Sequence, residues 1–361
     1  MRITVIGGGM IGSLIAKDLN KDEHNEVIVF ERDKKIVESL KEQGVNAVRK
    51  NFLSSNANLE CDLAINALPG RIGYQALEKA LNQKTNVVDI SFMPEDPRKL
   101  DKIAKENKVF AIVDAGFAPG LTNIIMSDLA NKHDIIDAKI MVGGLPQERN
   151  LPWEYASVFS PSDVLEEYTR AARVIKDGSV FIRPALSNVE LLHVDGIGDL
   201  EAFETDGLRT LLDLAAIENM VEKTIRYPGH ASKVKLLRDS GFLSTEEING
   251  ITPLEFTTEI MKKNWGKDMP DVSVMRIDIH TENGKDMRYE IIDKAKDGNS
   301  SMSRMTGYTC TAIVKLLNLV NPEPGIIAPE NLYLIKEAIP KAIFADLEHN
   351  HGIKIKITEE K

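Results

Sequence analysis

The sequence predicts an α/β fold of two domains: a doubly wound parallel sheet, and a second α+β domain. At 361 residues, the chain exceeds the size at which a single hydrophobic core usually stops growing. Its first third alternates short apolar runs with helix-like segments, which is typical of a parallel sheet covered on both faces. After Pro119, several strand-like runs alternate polar with apolar residues, as half-exposed antiparallel strands do.

Composition indicates a globular protein, with 43% hydrophobic and 28% charged residues. The net charge of -10 argues against a nucleic-acid partner, which would favour a basic surface. Because no apolar run reaches the roughly 20 residues of a membrane span and the start lacks signal-peptide features, we expect a soluble, cytoplasmic protein with no membrane partner. Cys61 and Cys310 lie far apart, which favours two free thiols and predicts neither a disulfide nor a metal site.

The first domain is predicted to span residues 1–118. Its strands are expected where β-branched or apolar runs end in glycine, a polar residue or a charge, at "RITVIGGG", "EVIVFERD", "CDLAINAL", "TNVVDISF" and "KVFAIVDAG". Helix-like segments separate them, including "MIGSLIAKDLN" and residues 73–82 and 96–107. This alternation predicts a doubly wound sheet.

The second domain is predicted to span residues 119–300. Strands are expected at "AKIMVGGLP", "VELLHVDG", "VEKTIRYPG", "VSVMRIDIHTENG" and "MRYEIIDKA", and helices at residues 161–170, 208–217 and 253–263. Asn283-Gly284 between two strand-like runs predicts a hairpin. The late segment 301–345, with the apolar helix "TGYTCTAIVKLLNLV", is expected to return to the first domain. His349 and His351 are expected in a solvated tail.

The pattern Gly7-x-Gly9-x-x-Gly12 lies between a predicted strand and a predicted helix, which is the context of a dinucleotide-binding Rossmann motif. Gly7 would permit the tight turn, Gly9 the approach of a pyrophosphate, and Gly12 close packing of helix and strand. The amino end of the helix favours phosphate charge. The alternative is a glycine-rich turn without a ligand.

Further cofactor contacts are expected around this motif. Met10 and Ile11 lie within it, and Glu31 ends the second strand about 20 residues on, where an acid binds the ribose hydroxyls. Glu31 favours NAD because a carboxylate repels a 2'-phosphate, whereas Arg32 could grip such a phosphate, stack on adenine or simply be solvated, so NADP stays open. The turn after the next strand is expected to contact the cofactor or to be ordinary loop packing, and it contains Ala67, Leu68 and Pro69.

Polar residues also follow the last two predicted strands of the first domain. Asp89, with Ser91, and Asp114 should face the nicotinamide end, because ligands bind outside the carboxyl ends of strands in open α/β sheets. Each acid alone could instead be a cap or could fix a turn. Phe117 and Pro119 in "DAGFAPG" would supply a rigid apolar wall beside the nicotinamide.

The second domain offers candidates in or near loops, with Tyr155, Arg209, Arg226 and His230 the main ones. Arginine and tyrosine can bind a carboxylate, and histidine can move a proton. The alternative for Arg226 is an exposed strand residue, and for His230 a helix cap.

Several strings resemble the saccharopine dehydrogenase family, and within it the bacterial and archaeal L-lysine 6-dehydrogenases. They are "GGGMIG", "VVDISFMPE", "DAGFAPGLTNI", "VGGLP", "EYASVFSPSDVLEEYTRAARVIKDG", "LEAFETDGLRTLL", "EKTIRYPGHASKVKLL" and "SSMSRMTGYT". The resemblance runs from residue 1 to about residue 331. It implies a Rossmann domain, a substrate domain with a mixed sheet, a late helix returning to the first domain, and a homodimer.

The resemblance also implies NAD-dependent oxidative deamination of the ε-amino group of L-lysine. The products would be ammonia and 2-aminoadipate 6-semialdehyde, which cyclises to piperideine-6-carboxylate. Alternatives are a saccharopine dehydrogenase or reductase acting on a secondary amine, a carboxynorspermidine-type dehydrogenase, and a non-catalytic NAD-binding sensor.

This chemistry needs a proton acceptor, because a lysine ammonium with a reference pKa of about 10.4 must lose a proton before hydride can leave. Asp89, Asp114 and His230 are the candidate proton movers. Arg209 or Arg226, with Tyr155, would hold the substrate carboxylate. Ser91, Phe117 and Pro119 would line the substrate.

Overall fold

The computed structural model describes residues 1–54, 56–150, 153–157, 161–214, 217–265, 269–317 and 319–360. In chain order, the strands are β1 Arg2–Ile6, β2 Glu26–Glu31, β3 Ala47–Arg49, β4 Leu63–Asn66, β5 Asn86–Asp89, β6 Phe110–Ile112, β7 Ile135–Pro146, β8 Ala172–Lys176, β9 Ser179–Arg183, β10 Ser187–Val194, β11 Gly198–Glu204, β12 Asn219–Arg226, β13 Asp271–Thr281, β14 Asp286–Lys294, β15 Gly325–Ile327 and β16 Lys356–Glu360.

The α-helices are α1 Met10–Leu19, α2 Lys34–Glu42, α3 Gly70–Asn82, α4 Asp101–Asn107, α5 Leu121–Ala130, α6 Pro161–Thr169, α7 His230–Asp239, α8 Pro253–Asn264, α9 Ser301–Leu317, α10 Leu332–Ile335 and α11 Ile339–His351. Short 3-10 helices cover Pro97–Leu100, Arg209–Asp213 and Pro329–Asn331. Within the described ranges, no helix is both long and apolar enough to cross a membrane.

The chain forms two compact units, Met1–Asp128 with Ser303–Gly352, and Leu129–Met302 with Ile353–Lys361. The first unit extends past the border predicted at residue 118, and it includes most of α5. Asn123 Nδ2 donates to Glu330 Oε2 at 3.0 Å, and Ser127 Oγ donates to the Glu330 carbonyl oxygen at 2.7 Å. These bonds tie α5 to the returning C-terminal segment of the same unit.

The first unit has a parallel sheet with the strand order β15-β6-β5-β4-β1-β2-β3. Strands β3-β2-β1-β4-β5-β6 follow the order of a doubly wound dinucleotide-binding fold, and β15 pairs with β6. The predicted fold class is thereby confirmed. The register sets Asn66 beside both Ile6 and Asp89, so the ends of β1, β4 and β5 lie at one edge of the sheet.

The second unit has a mixed sheet in the order β10-β11-β12-β7-β13-β14-β16, with the hairpin β8-β9 joined to β12 through β8. Strands β7 and β12 pair in parallel, and the other pairs are antiparallel. The hairpin predicted at Asn283-Gly284 is confirmed: it joins β13 to β14, and Gly284 has the positive φ of +77° that favours glycine.

The helix predicted over residues 208–217 was wrong in length. The structure has a 3-10 helix there, Arg209–Asp213, and residues 215 and 216 lie outside the described ranges. Arg209 has a φ of +54°, which an α-helix does not allow. The backbone therefore turns at Arg209 instead of continuing a regular helix.

The tail predicted around His349 and His351 is a helix, and the predicted solvent exposure holds for His349 but is wrong for His351. These residues end α11, and His351 is buried against Tyr308 with a ring-centroid distance of 3.7 Å. Its side chain shares a face of α11 with Ile343 and Leu347, because residues four apart lie on the same side of a helix. The last residues form β16, which pairs with β14.

Candidate functional site

The glycine turn after β1 has the geometry of a dinucleotide cradle. Gly7 takes a φ of +104°, and a Cβ at Gly12 would lie 2.0 Å from the Gly7 carbonyl oxygen, so only glycine allows α1 to pack this closely. Gly9 is different, because a Cβ there would meet nothing within 4 Å. Gly9 is also the N-cap of α1, and as a glycine it has no side chain to cap this end of the helix. The turn thus leaves open space beside the amino end of α1, as a bound pyrophosphate requires.

Glu31 closes the other side of this turn. Its Oε2 accepts a hydrogen bond from the Gly8 amide, and its Oε1 accepts one from the Asp33 amide, both at 2.8 Å. The carboxylate is therefore held next to the glycine turn, where it can face ribose hydroxyls. Arg32 is exposed and its carbonyl oxygen accepts a hydrogen bond from Arg49 at 3.3 Å.

The remaining predicted cofactor residues surround the same turn. Met10 is 59% exposed, and Ile11 is half-buried. After β4, Ala67 and Leu68 are half-buried and Pro69 is exposed. The turns after β1 and β4 touch, since a Cβ on Gly7 would lie 2.7 Å from the Ala67 carbonyl oxygen. These residues fit a nicotinamide dinucleotide.

Asp89 ends β5 as a fully buried carboxylate. Its Oδ2 accepts from Asn66 Nδ2 at 2.6 Å, and its Oδ1 accepts from the Ser91 amide at 2.6 Å. Burial raises the pKa of Asp89 to about 7, although the hydrogen bonds from Asn66 and Ser91 oppose the shift. Sequence reasoning missed that Asn66 is the partner of this acid; the signal was a polar residue at the end of an otherwise apolar strand.

Asp114 and the turn after it lie next to Asp89. The Ala115 amide donates to the Asp89 carbonyl oxygen at 2.8 Å, so the ends of β5 and β6 bring both acids to one edge of the sheet. Asp114 is buried and has a φ of +50°, which only a tightly determined turn holds in a residue other than glycine. Phe117 and Pro119 are buried in the same turn.

The second unit gathers three of its four predicted site residues. His230 begins α7 and is 2% exposed; Tyr155 and Arg226 are buried beside it. The His230 and Tyr155 ring centroids are 5.2 Å apart, and the Arg226 guanidinium lies 4.6 Å from the Tyr155 ring centroid. Arg209, also buried, stands in the 3-10 helix Arg209–Asp213.

Sequence reasoning missed Tyr168, which connects this group. Its hydroxyl lies 3.0 Å from His230 Nε2 and accepts a hydrogen bond from Arg226 Nε at 3.1 Å. Tyr168 shares the apolar face of α6 with Val164 and Leu165, and this spacing was its signal. Burial, followed by the charge of Arg226, lowers the pKa of His230 to about 3, so the ring is neutral at neutral pH.

A second buried acid, Glu222 on β12, was also missed. Its Oε2 accepts a hydrogen bond from Thr205 Oγ1 at 2.7 Å. Burial raises the pKa of Glu222 to about 8, and the charges of Glu167 and Asp206 add to this rise. Its signal in the sequence was the alternation of Met220, Glu222, Thr224 and Arg226 along one strand. Across the described residues, no group of three or more histidine, cysteine or acidic side chains is arranged to hold a metal ion.

Strand order, glycine turn and acid at the end of β2 together define a nicotinamide-dinucleotide-binding protein of the dehydrogenase type. Two sequence profiles match the chain: the saccharopine dehydrogenase NADP binding domain over residues 3–112, and the saccharopine dehydrogenase C-terminal domain over residues 116–353. The chain belongs to the saccharopine dehydrogenase family, whose members are oxidoreductases. The predicted family is confirmed.

Individual relatives agree. The chain is 26% identical over 240 residues to a saccharopine dehydrogenase [NADP(+), L-glutamate-forming] of Pyricularia oryzae, covering 59% of this chain and 51% of that protein. It is 19% identical over 273 residues to the mitochondrial alpha-aminoadipic semialdehyde synthase of Mus musculus, covering 70% of this chain and 29% of that protein. The chain therefore spans about half or less of the curated relatives it matches.

A solved structure shares the whole fold. The apo, L-Glu-forming saccharopine dehydrogenase of Saccharomyces cerevisiae superposes with a TM-score of 0.82 over 100% of both chains, at 18% identity. At this identity the likeness shows the fold alone.

Proposed function

We propose that the chain catalyses NAD-dependent oxidative deamination of the ε-amino group of L-lysine, giving ammonia and 2-aminoadipate 6-semialdehyde. The observation that carries this proposal is the pairing of cations in the second unit. Arg173 pairs with Asp206 at 2.8 Å, Arg183 with Glu204 at 2.5 Å, and Lys223 with Glu190 at 2.7 Å. Arg226 also faces an acid, Glu167, at 3.7 Å.

Paired cations favour a substrate with few carboxylates. Saccharopine carries the carboxylates of a dicarboxylic acid in addition to that of lysine, and each needs a cationic or strong donor group. A cation that already forms an ion pair with an acid binds the carboxylate of a ligand less strongly. L-lysine needs one such contact, and Arg209 is proposed to provide it; Arg226 is the weaker candidate for this contact, because it faces Glu167 and donates to Tyr168.

The proton transfers are assigned to the first unit. When bound, the nicotinamide ring accepts a hydride. The ε-ammonium of lysine must first lose a proton, and water must later be deprotonated as it adds to the imine. Asp114, held at the end of β6 by a tightly determined turn, is the proposed acceptor. His230 is a weaker base than a histidine in water, because burial lowers its pKa to about 3.

Glu31 supports NAD over NADP, since its carboxylate lies beside the glycine turn.

The homodimer implied by the resemblance is part of the proposal. It is supported by exposed apolar side chains on both faces of β9, Val180 and Ile182 on one and Phe181 on the other, since exposed apolar surface of this kind commonly marks interfaces. Light scattering of the purified chain tests it. A cytoplasmic location stays a prediction.

A second candidate is a saccharopine dehydrogenase, which is favoured by the names of the Pyricularia and Saccharomyces relatives. The test is NADH formation at alkaline pH with L-lysine and with saccharopine, each with NAD and with NADP, together with assays for ammonia and glutamate. We expect NADH and ammonia from lysine with NAD. Turnover of saccharopine with glutamate release, and none of lysine, would replace the first proposal by the second.

A further inference from the structure

Asp89 is held on two sides, by a side-chain amide and by a backbone amide, and has no exposed surface. Its Oδ2 accepts from Asn66 Nδ2 and its Oδ1 accepts from the Ser91 amide, both at 2.6 Å, which is the short distance expected for a charged acceptor. Its relative exposure is 0%. A carboxylate enclosed in this way can hold other groups in place, but it does not present an oxygen to a substrate.

The groups that Asp89 holds belong to the loops after β4 and β5. Ser91 Oγ donates to the Leu68 carbonyl oxygen at 3.0 Å, which links the two loops directly. The loop after β4 in turn touches the glycine turn, because the Ala67 carbonyl oxygen occupies the space that a Cβ on Gly7 would need. A continuous set of contacts therefore runs from Asp89 through Asn66 and Ser91 to the turn that receives the dinucleotide.

The orientation of the Asn66 amide requires Asp89 to be an acceptor. Asn66 Nδ2 also donates to the Gly73 carbonyl oxygen at 3.0 Å, so a flipped amide would set two oxygens against each other. Both N–H bonds of Nδ2 are thus directed at oxygens, Gly73 on one side and Asp89 on the other. Protonating Asp89 would place a donor on a carboxyl whose two oxygens already receive N–H groups, and it would weaken one of these contacts.

We propose that Asp89 is a positioning residue, whose carboxylate holds the loops after β4 and β5 in the conformation that binds the nicotinamide dinucleotide. It does not exchange protons with the substrate. The inference uses the proposed function only in taking a nicotinamide dinucleotide as the ligand, and it is the same for lysine and for saccharopine.

The hydrogen bonds by which the Asp89 carboxylate holds the two loops should depend on pH. Burial raises the pKa of Asp89 to about 7, and the nearby Asp114 adds to the rise; the Cys310 thiol on α9 also interacts with it. Above that pH the Asp89 carboxylate is ionised and accepts both N–H groups, from Asn66 and from Ser91. The affinity for the dinucleotide should therefore rise with pH. The stability effect has the opposite sign: an acid with a raised folded pKa favours the folded state at low pH, and this contribution is lost as the pH rises through about 7.

With rising pH, dinucleotide affinity should increase while the contribution of Asp89 to stability is lost. These opposite trends distinguish a positioning role of Asp89 from a merely structural one. We expect the Kd of NADH, measured by nucleotide fluorescence, to fall several-fold between about pH 6 and about pH 8 in the unaltered protein. In Asp89→Asn, the Kd should be about 10-fold higher and should no longer change over this pH range, because a hydrogen bond to a charged group is worth about one tenfold step in affinity. Amide exchange at Leu68 and Ser91 should be faster in the cofactor-free variant.

Asp62→Asn is the matched control, because Asp62 lies just before β4, is 47% exposed and pairs with Arg2, so it should keep the pH dependence of the NADH Kd. If Asp89→Asn retained the Kd and its pH dependence while losing turnover about 100-fold, Asp89 would be a proton mover and the inference would be wrong. If the Kd of Asp89→Asn still changed with pH, another group would be titrating, and the inference would likewise be wrong. Should that variant not fold, Ser91→Ala removes the hydroxyl that links the two loops through Leu68 and also contacts Asp89. A raised Kd with the pH dependence kept supports the positioning role of Asp89, and an unchanged Kd overturns it. All these readouts hold whether or not lysine is the substrate.

Discussion

The two units bury ionisable groups in different ways. In the first unit, Asp89 binds the backbone amide of Ser91 and the amide of Asn66, so the buried charge fixes loops at a sheet edge. In the second, Arg226 and His230 meet at the hydroxyl of Tyr168, so side chains from β12, α7 and α6 hold one another. A buried charge can therefore serve a binding loop or a core, and its partners distinguish the two cases.

The largest expected effect is the loss of Arg226. Arg226→Met keeps most of the side-chain volume but leaves the Tyr168 hydroxyl and Glu167 without their cation. Breaking a buried charge network in this way typically costs about 3–5 kcal/mol, so we expect a loss of that size in the free energy of unfolding, measured by urea denaturation. Arg288→Met is the control, because Arg288 is 43% exposed in its pair with Asp278 and should cost under about 1 kcal/mol. Equal losses in the two variants would mean that Arg226 does not organise this core.

The next effect concerns Glu222, a buried acid of the second unit. Because burial raises the pKa of Glu222 from its ordinary value of 4.5 to about 8, Glu222 favours the folded state at low pH, and this contribution is lost as the pH rises to about 8. The free energy of unfolding should carry a slope of about -1.4 kcal/mol per pH unit from this group between its ordinary pKa of 4.5 and about pH 8, and the slope should vanish above about pH 8. Glu222→Gln should remove the slope while keeping the shape and the hydrogen bond from Thr205.

Glu190→Gln is the matched control for Glu222. The pKa of Glu190 is lowered: burial opposes ionisation, but Lys139 and Lys223 outweigh it. Its stabilising contribution is present above its ordinary pKa and is lost only in acid, so this variant should shift stability by a small, constant amount between about pH 6 and about pH 9. An unaltered slope in Glu222→Gln would show that Glu222 does not titrate in the folded protein over that range.

Much of the first unit could be predicted, because its signals are local. The glycine spacing and the polar residues ending apolar strands identify loops of a parallel sheet without knowledge of distant residues. Asp89 was assigned to the correct sheet edge in this way. Its hydrogen bond to Asn66 was not predicted, because it depends on the register between β4 and β5.

The second unit was less predictable for a related reason. Its polar core joins residues far apart in sequence, such as Tyr168 and His230, and its buried acid Glu222 sits in a strand that reads as half-exposed. The C-terminal helix was missed because His349 and His351 are two residues apart, a spacing that does not place both on one face of a helix. Only the contact with Tyr308 shows that His351 belongs to a core.

The smallest expected effect comes from comparing two glycines of the motif after β1. The comparison tests whether glycine spacing in the sequence identifies both a packing position and a cofactor-binding position. A Cβ at Gly12 would lie 2.0 Å from the Gly7 carbonyl oxygen, so Gly12→Ala must displace α1 or the turn and should cost about 1–3 kcal/mol of unfolding free energy. A Cβ at Gly9 meets nothing within 4 Å, so Gly9→Ala should leave thermal stability nearly unchanged. It should instead weaken NADH binding about 10-fold, because the added methyl occupies space that the pyrophosphate needs. If Gly9→Ala bound NADH normally, the open side of the turn would not be where the dinucleotide lies; if it also unfolded more easily, Gly9 would be a structural glycine like Gly12.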